Sequence, residues 1–591
     1  MKSMLRLLKN LRSKEWVLIL IAVGFIVGSV FLDLEMPKYM KEITRLVTTP
    51  GNKMGDVWIN GGWMMLCALG SLVSAIIVAF IAARIGASLS KRLRSKIFNK
   101  VDSFSFAEVN RFGASTLITR TTNDVTQVQM LVVMGLQIIV KAPVLAIWAI
   151  TIIAGKGMEW TIATGIAVAV MLTIFVIVAV IVLPRFRKIQ VQTDDLTKVA
   201  RENLAGLPVV HAYNAEKFQN EKFEGANDRL TRTHLFTARG MAFLMPMMTL
   251  IISGLTLAIT WIGAYVIDKS VPAARQEIFE DMTVFSAYAM QILMAFMMIT
   301  MMFVMLPRAL VSAKRINEVF DTNPSVVGGT VTAGQDGLAG EIVFNNVSFK
   351  YPEAADYVIK DITFTAKKGE TVAFIGSTGS GKSTVVNLIP RFYDPTDGNI
   401  LINGTDIKEY TLESLRDKIG YISQKAVLFS GTVNENIAFG NEQSNQSQIE
   451  NAVNIAQAKD FVEKMENKYN SDIARAGKNL SGGQKQRISI ARAIYKKPEI
   501  FIFDDSFSAL DYKTDRTLRT ALKTQINDAT VLIVAQRIGT IREADKIIVL
   551  DEGRVVGMGK HNDLLENCRV YKEIAASQLT EEELAKSGGA K

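Results

Sequence analysis

The chain is poor in cysteine: Cys67, inside an apolar stretch, and Cys568, far downstream, are the only two in 591 residues. A disulfide framework is therefore excluded as the basis of the fold. Charge is sparse as well, at 21% of residues against 49% hydrophobic, with a mean hydropathy of +0.21. That balance is too apolar for a disordered chain and argues for membrane-embedded segments. No repeat of solenoid period is present. The first apolar run follows a basic segment but leads into Asp33, Leu34 and Glu35 without a small-residue cleavage pattern, so it reads as a retained helix. A net charge of +10 would suit a polyanion, yet basic cytoplasmic loops of a membrane protein give the same sum, and no nucleic-acid partner is expected. The length exceeds what one core usually organises, which predicts at least two domains.

What is present divides the chain in two. Residues 1–320 hold six apolar runs, near Trp16–Phe31, Trp63–Ala83, Leu131–Ala154, Trp160–Leu183, Met241–Ile267 and Phe285–Leu306, long enough to cross about 30 Å of hydrocarbon as helices. An even number of crossings returns the chain to its starting side. Lys2, Arg6, Lys9, Arg12 and Lys14 precede the first run, and Lys91, Arg92, Arg94, Lys96, Arg185, Arg187 and Lys188 lie in later loops. Basic residues stay inside, so both termini are expected in the cytoplasm of a multi-pass inner (plasma) membrane protein. Gly155–Glu159 reads as a tight external turn, whereas Arg84–Met130 and Pro184–Gly240 are long, polar and helix-patterned. As pairs of helices of roughly twenty residues they would project on the order of 30 Å inward.

A Gly- and Thr-rich linker, 321–340, leads into 341–578, where short β-rich runs alternate with helices in an α/β pattern; the charged tail 579–591 is expected to fray. In the α/β part the apolar run Thr371–Ile375 reads as a buried strand and runs straight into Gly376, Ser377, Thr378, Gly379, Ser380, Gly381, Lys382, Ser383 and Thr384, then a helix-like segment. This is a P-loop in its strand–loop–helix context. The glycines let backbone N–H groups turn toward phosphate oxygens, Lys382 reaches the β/γ-phosphates and Ser383 can hold Mg²⁺. A second apolar strand, Ile500–Phe503, ends in Asp504 and Asp505 at the carboxyl edge where ligands of doubly wound folds bind, and Asp504 suits the Mg²⁺ shell. Ser481, Gly482, Gly483 and Gln484 precede a basic helix, Lys485–Ala493, a second phosphate-binding helix start.

In order, the P-loop, an LSGGQ signature and the Walker B strand, behind six apolar runs, resemble an ATP-binding cassette exporter half-transporter over nearly the whole chain. The resemblance implies a six-helix, all-α transmembrane domain with long cytoplasmic helical extensions, fused to an α/β P-loop nucleotide-binding domain. It implies ATP and Mg²⁺ as ligands. It further implies that Tyr351 stacks on adenine, that Gln424 in YISQ senses Mg²⁺, and that Ser508–Asp511 is the D-loop. Ser105–Phe112 and Leu204–Ala215 resemble the coupling helices that dock on the nucleotide domains. The family works as dimers in which each ATP lies between one chain's P-loop and the other chain's signature.

Three departures from the family pattern stand out. Asp505 occupies the place of a glutamate and is one methylene shorter, which leaves it short of the roughly 2.6–3.2 Å reach a general base needs. Gln536 replaces the switch histidine and cannot carry an imidazole's proton or charge; none of the three histidines, 211, 234 and 561, lies in that motif. Arg475 stands where a glutamate is usual. Together these resemble the noncatalytic chain of a heterodimeric multidrug exporter. Such a chain binds ATP at a degenerate site and lends an intact signature to a second half-transporter.

Substrate residues are harder to read. Met294 and Met298 belong to a Met-rich sixth run that can line an adaptable pocket or simply pack. Lys141, two residues before Pro143 in the third run, is either a structural partner or a cavity residue, and Gln137 and Gln291 are candidates of the same kind. Three functions stay open. One is an exporter subunit for small amphipathic drugs, lipids or peptides. Another is a homodimeric lipid floppase hydrolysing slowly at Asp505, and the third is a nucleotide-sensing regulatory subunit. Import lacks an obvious external dock, and the first helix begins too early for a peptide-processing protease domain.

Overall fold

The six apolar runs are carried by six helices far longer than a membrane is thick, most runs lying toward one end of their helix. The structure is a computed structural model that describes residues 2–49, 52–154, 157–441, 444–526 and 528–579. Residues 155 and 156 of the expected external turn, and 580–591 of the expected frayed tail, lie outside the described residues. In order, the helices are α1 (Lys2–Leu8), α2 (Ser13–Thr48), α3 (Met54–Asp102), α4 (Phe106–Phe112) and α5 (Ala114–Thr119). A π-helical turn, Arg120–Asp124, joins α5 to α6 (Val125–Ile153). Then come α7 (Met158–Ala205), α8 (Leu207–Ala212), α9 (Glu216–Lys269) and α10 (Pro272–Asp321).

The long polar loops are not separate helix pairs, as the sequence suggests; they continue the spanning helices without a break. In α3 the reason is visible in the spacing. Ile85, Leu89, Leu93 and Ile97 recur every fourth residue beyond the apolar run and are buried, so one stripe extends the helix through an otherwise charged segment. The two projections end in the short helices α4 and α8, inside the two segments marked as tips by sequence.

The chain forms two compact units, one of residues 1–99 and 115–321, the other of residues 100–114 together with the chain from 322 onward. In the first, Val30 and Leu34 of α2, Ala142 and Leu145 of α6, and Phe285, Tyr288 and Ile292 of α10 form the buried centre. In the second, a six-stranded sheet runs in the order β12 (Arg554–Gly559), β11 (Lys546–Asp551), β3 (Thr371–Gly376), β10 (Thr530–Val534), β9 (Ile500–Asp504), β6 (Ile419–Ile422). Only the β11–β12 pair is antiparallel. Successive side chains of a strand face opposite ways, and both faces here are covered. Ala373, Ile375, Phe501, Phe503 and Ile533 enter one core, while Val372, Phe374, Ile500, Ile502, Leu532 and Val534 enter the other. That is why these strands read as continuous apolar runs.

A four-stranded antiparallel sheet of β1 (Ile342–Phe349), β2 (Ile359–Ala366), β4 (Asp397–Ile402) and β5 (Thr405–Asp406) closes the second core, and β7 (Gly431–Thr432) pairs with β8 (Asp472–Ile473) in a short sheet of their own. The linker runs along it. Gly329 N–H donates to Tyr410 O (2.7 Å) and Thr411 N–H to Val331 O (2.8 Å). A Cβ on Gly329 would lie 2.1 Å from Glu409 O, so only glycine allows this approach. The tip helix α4 belongs to the same unit: the Phe106 ring lies 4.7 Å from that of Phe392 and 6.3 Å from that of Tyr393. Glu108 fastens its start, accepting from Ser105 N–H (2.9 Å), Ser105 Oγ (2.6 Å) and Ser325 N–H (3.2 Å).

Candidate functional site

Strand register decides what meets at the carboxyl edge of the large sheet. Val534 of β10 pairs with Phe374 of β3 on one side and Asp504 of β9 on the other, and Ile422 of β6 pairs with Phe503. The loop 376–384, the Asp504–Asp505 pair, Gln424 and Gln536 therefore emerge side by side from four adjacent strands.

Within the loop, Gly381 adopts φ +95°, and a Cβ there would sit 2.6 Å from Ile359 Cγ2. Lys382 opens α11 (Lys382–Leu388) and turns its Nζ back onto Gly376 O (2.9 Å) and Ser377 O (2.7 Å). Burial pushes the ammonium's pKa down, against the pull of Asp505 and Asp504. Ser383 Oγ donates to Asp504 Oδ1 (2.7 Å), and Tyr421 OH lies 3.3 Å from Asp504 Oδ2 and 2.8 Å from Asn387 Oδ1. Burial raises the Asp504 pKa, the hydrogen bonds from Ser383 and Tyr421 opposing it. A loop built on glycines, a buried ammonium and a hydroxyl–carboxylate pair match what a triphosphate and its divalent cation require, so the donor set fits MgATP.

Asp505 is 7% exposed and sits at φ +50°, a left-handed conformation that aspartate tolerates better than most residues. Its Oδ2 accepts two hydrogen bonds, from Gln536 Nε2 (2.8 Å) and from Gln424 Nε2 (3.1 Å). The two glutamines and the aspartate singled out by sequence thus form one closed cluster.

The signature lies elsewhere. Its helix begins at Gly482, inside the motif, and runs to Lys496, earlier than the sequence pattern suggests. Ser481 caps it, Gln484 N–H donating to Ser481 Oγ (3.3 Å) and Ser481 N–H to Gln484 Oε1 (2.9 Å). Gly483 packs close to the D-loop, where a Cβ would be 3.2 Å from Ala509 O. Among the described residues no hydrogen bond joins 481–484 to 376–384. Tyr351 is part-buried, edge-on to Tyr393 with its OH 3.2 Å from Thr384 Oγ1. Arg475 is exposed beside the left-handed Ala476.

Of the membrane candidates, Lys141 pairs with Asp33 and Gln291 hydrogen-bonds the Asp33 carbonyl. Met298 packs against the core, Met294 is exposed, and Gln137 is part-buried on α6. Sequence reasoning missed Asp33, which follows the first apolar run and read as its polar end, and Tyr421 with Asn387. Only the tyrosine's place one strand from the Walker aspartate could have pointed to the latter.

The chain matches the family model described as ABC transporter over residues 359–508 and that described as ABC transporter transmembrane region over 19–311. It is 38% identical to an uncharacterized ABC transporter ATP-binding protein of Mycobacterium tuberculosis, over 89% of each chain. It is 32% identical to an ATP-dependent lipid A-core flippase of Syntrophus aciditrophicus, over 88% of this chain and 84% of the relative. A bacterial Atm1-family ABC exporter with ATP bound superposes with a TM-score of 0.79 at 23% identity, over 95% of this chain and 98% of that one.

Proposed function

Because the chain belongs to the ABC transporter family, whose members couple ATP hydrolysis to transport, we propose that it is the degenerate-site half of a heterodimeric exporter. It works in the inner membrane with both termini cytoplasmic and moves amphipathic molecules outward by alternating access. The observation that carries this is the Asp505 cluster: the carboxylate that would orient a water has its Oδ2 committed to Gln424 and Gln536. Losing general-base help costs a factor of about 10²–10⁴, or roughly 3–5 kcal/mol of barrier.

Binding is a separate matter. Lys382 exchanges its two loop carbonyls for phosphate oxygens, and Tyr351 lies beside the base. Ser383, Asp504 and Gln424 would hold Mg²⁺, which neutralises phosphate charge when bound. The intact Ser481–Gln484 segment completes the P-loop site of the partner chain, where hydrolysis takes place. ATP held by both chains favours the closed dimer by contacts that only that state offers. The tips α4 and α8 pass closure to the spanning helices. A second reading, a homodimeric lipid floppase with slow hydrolysis at Asp505, draws support from the flippase named among the relatives.

Purified alone in lipid, the chain is expected to bind MgATP tightly with turnover no better than Lys382→Ala, whose binding is lost. Robust turnover that disappears in Asp505→Asn would overturn the degenerate-site reading in favour of the homodimer.

A further inference from the structure

Charged side chains at membrane depth persist where something compensates them. Lys141 Nζ lies 3.0 Å from Asp33 Oδ2 and 3.4 Å from Ser29 Oγ. Ser71 donates to Asp33 Oδ1 and lies 3.1 Å from Ser29. Helix α10 joins through Gln291, whose Nε2 donates to the Asp33 carbonyl at 3.0 Å. That carbonyl is orphaned by Pro37, four residues on, which has no N–H to give it. Gln291 Oε1 is buried and has no partner among the described residues. Four helices, α2, α3, α6 and α10, thus converge on one anion, one cation and one unmatched acceptor.

Counted at about 1.5 Å per residue from the outer ends of their apolar runs, Gln291, Ser71 and Lys141 lie roughly 10 to 20 Å deep, whereas Asp33, two residues past Phe31, stands at the outer end of its own run. The pair is not sealed: the Lys141 and Asp33 side chains keep 28% and 20% exposure, while Leu34 and Ala142 beside them are buried. Met294, one turn along α10 from Gln291, is exposed and offers a thioether wall on the deeper side.

We propose that the Asp33–Lys141 pair is the headgroup site of the transported amphiphile, and that it selects a zwitterionic headgroup carrying an ammonium and a phosphate or carboxylate. The proposal rests on the amphiphile-exporter reading above. A singly anionic headgroup that takes Lys141 strips Asp33 of its counterion, and a cationic one strips Lys141; breaking this part-buried pair from one side leaves an uncompensated charge. A zwitterion exchanges partners with both at once and leaves no charge unmatched. Its ammonium meets Asp33 and the spare Gln291 Oε1, its anion meets Lys141, and its apolar chain lies along Met294. Specificity here comes from the penalty on the wrong ligand.

The test is competition of three amphiphiles of equal acyl length, with phosphoethanolamine, phosphoglycerol or plain primary-ammonium heads, against a phosphoethanolamine probe carrying its fluorophore on the acyl chain, on the full chain in maltoside micelles. Wild type is expected to bind the zwitterion about tenfold or more tighter than either singly charged amphiphile. Asp33→Asn is expected to turn the preference to the anion and Lys141→Gln to the cation. Equal affinities in wild type, a measurement that needs no variant to fold, would overturn the site. So would a zwitterion preference unchanged in both folded variants. Absence of saturable binding by all three would overturn the amphiphile reading itself and the site with it.

Discussion

Converting Asp505 to Glu together with Gln536 to His should give this chain a working hydrolytic site. In the structure, freeing Oδ2 to orient a water means giving up donors at 2.8 and 3.1 Å. Hydrogen bonds to a charged group are worth about 1.5–3 kcal/mol each, so releasing both costs about 3–6 kcal/mol, on the order of 10²–10⁴ in rate. Glutamate adds one methylene, about 1.5 Å of reach, and histidine restores a group that can carry a proton. Two copies can complete each other's sites because Ser481–Gln484 is intact. Phosphate release by the double variant, reconstituted alone in lipid, is expected to rise about 100-fold or more over wild type. ATP affinity should stay within about threefold, since Lys382, Ser383 and Asp504 keep their places. Asp505→Glu by itself should recover less, because Gln536 still donates to the carboxylate. If the double variant binds ATP normally and is no faster, the Asp505 cluster does not limit turnover and the reasoning fails.

Two further outcomes concern the scaffold. Glu108 accepts from Ser105 and Ser325; burial raises its pKa, but these hydrogen bonds outweigh it and hold the pKa below the ordinary glutamate value. A depressed carboxylate stabilises the fold above its unfolded pKa, about 4.3, and loses that contribution as pH falls through the folded value. Amide exchange at Ser105 and Ser325 should therefore be equally protected at pH 5 and 7 once corrected for intrinsic rate. In Glu108→Gln it should be about tenfold faster, and loss of protection already between pH 7 and 5 would contradict the hydrogen-bond account. In α10, Gln291→Leu should lower stability in detergent by about 1–2 kcal/mol, because Asp33 O is left without its donor. Adding Pro37→Ala restores an N–H for that carbonyl, so the two changes together should cost less than their sum; strict additivity in thermal unfolding would refute the link.

The sequence by itself determined the elements. Apolar runs of spanning length and the apolar strands ahead of Gly376 and Asp504 are local patterns that fold as they read, whereas the stripe Ile85–Ile97 carries α3 through a segment whose polarity suggested a separate helix. The P-loop was legible because glycine is required there by the backbone, whatever the rest of the chain does. Tertiary structure alone decided which side chains meet. Nothing local says that Gln424, Gln536 and Asp505 share one carboxylate oxygen, since that follows from the parallel register of β6, β9 and β10. Nor does a lysine in the third apolar run reveal that its counterion is Asp33, more than a hundred residues earlier. Helical and strand periodicities are set within a few residues by backbone geometry, whereas charge pairing at membrane depth depends on which helices pack together, and that is a property of the assembled bundle.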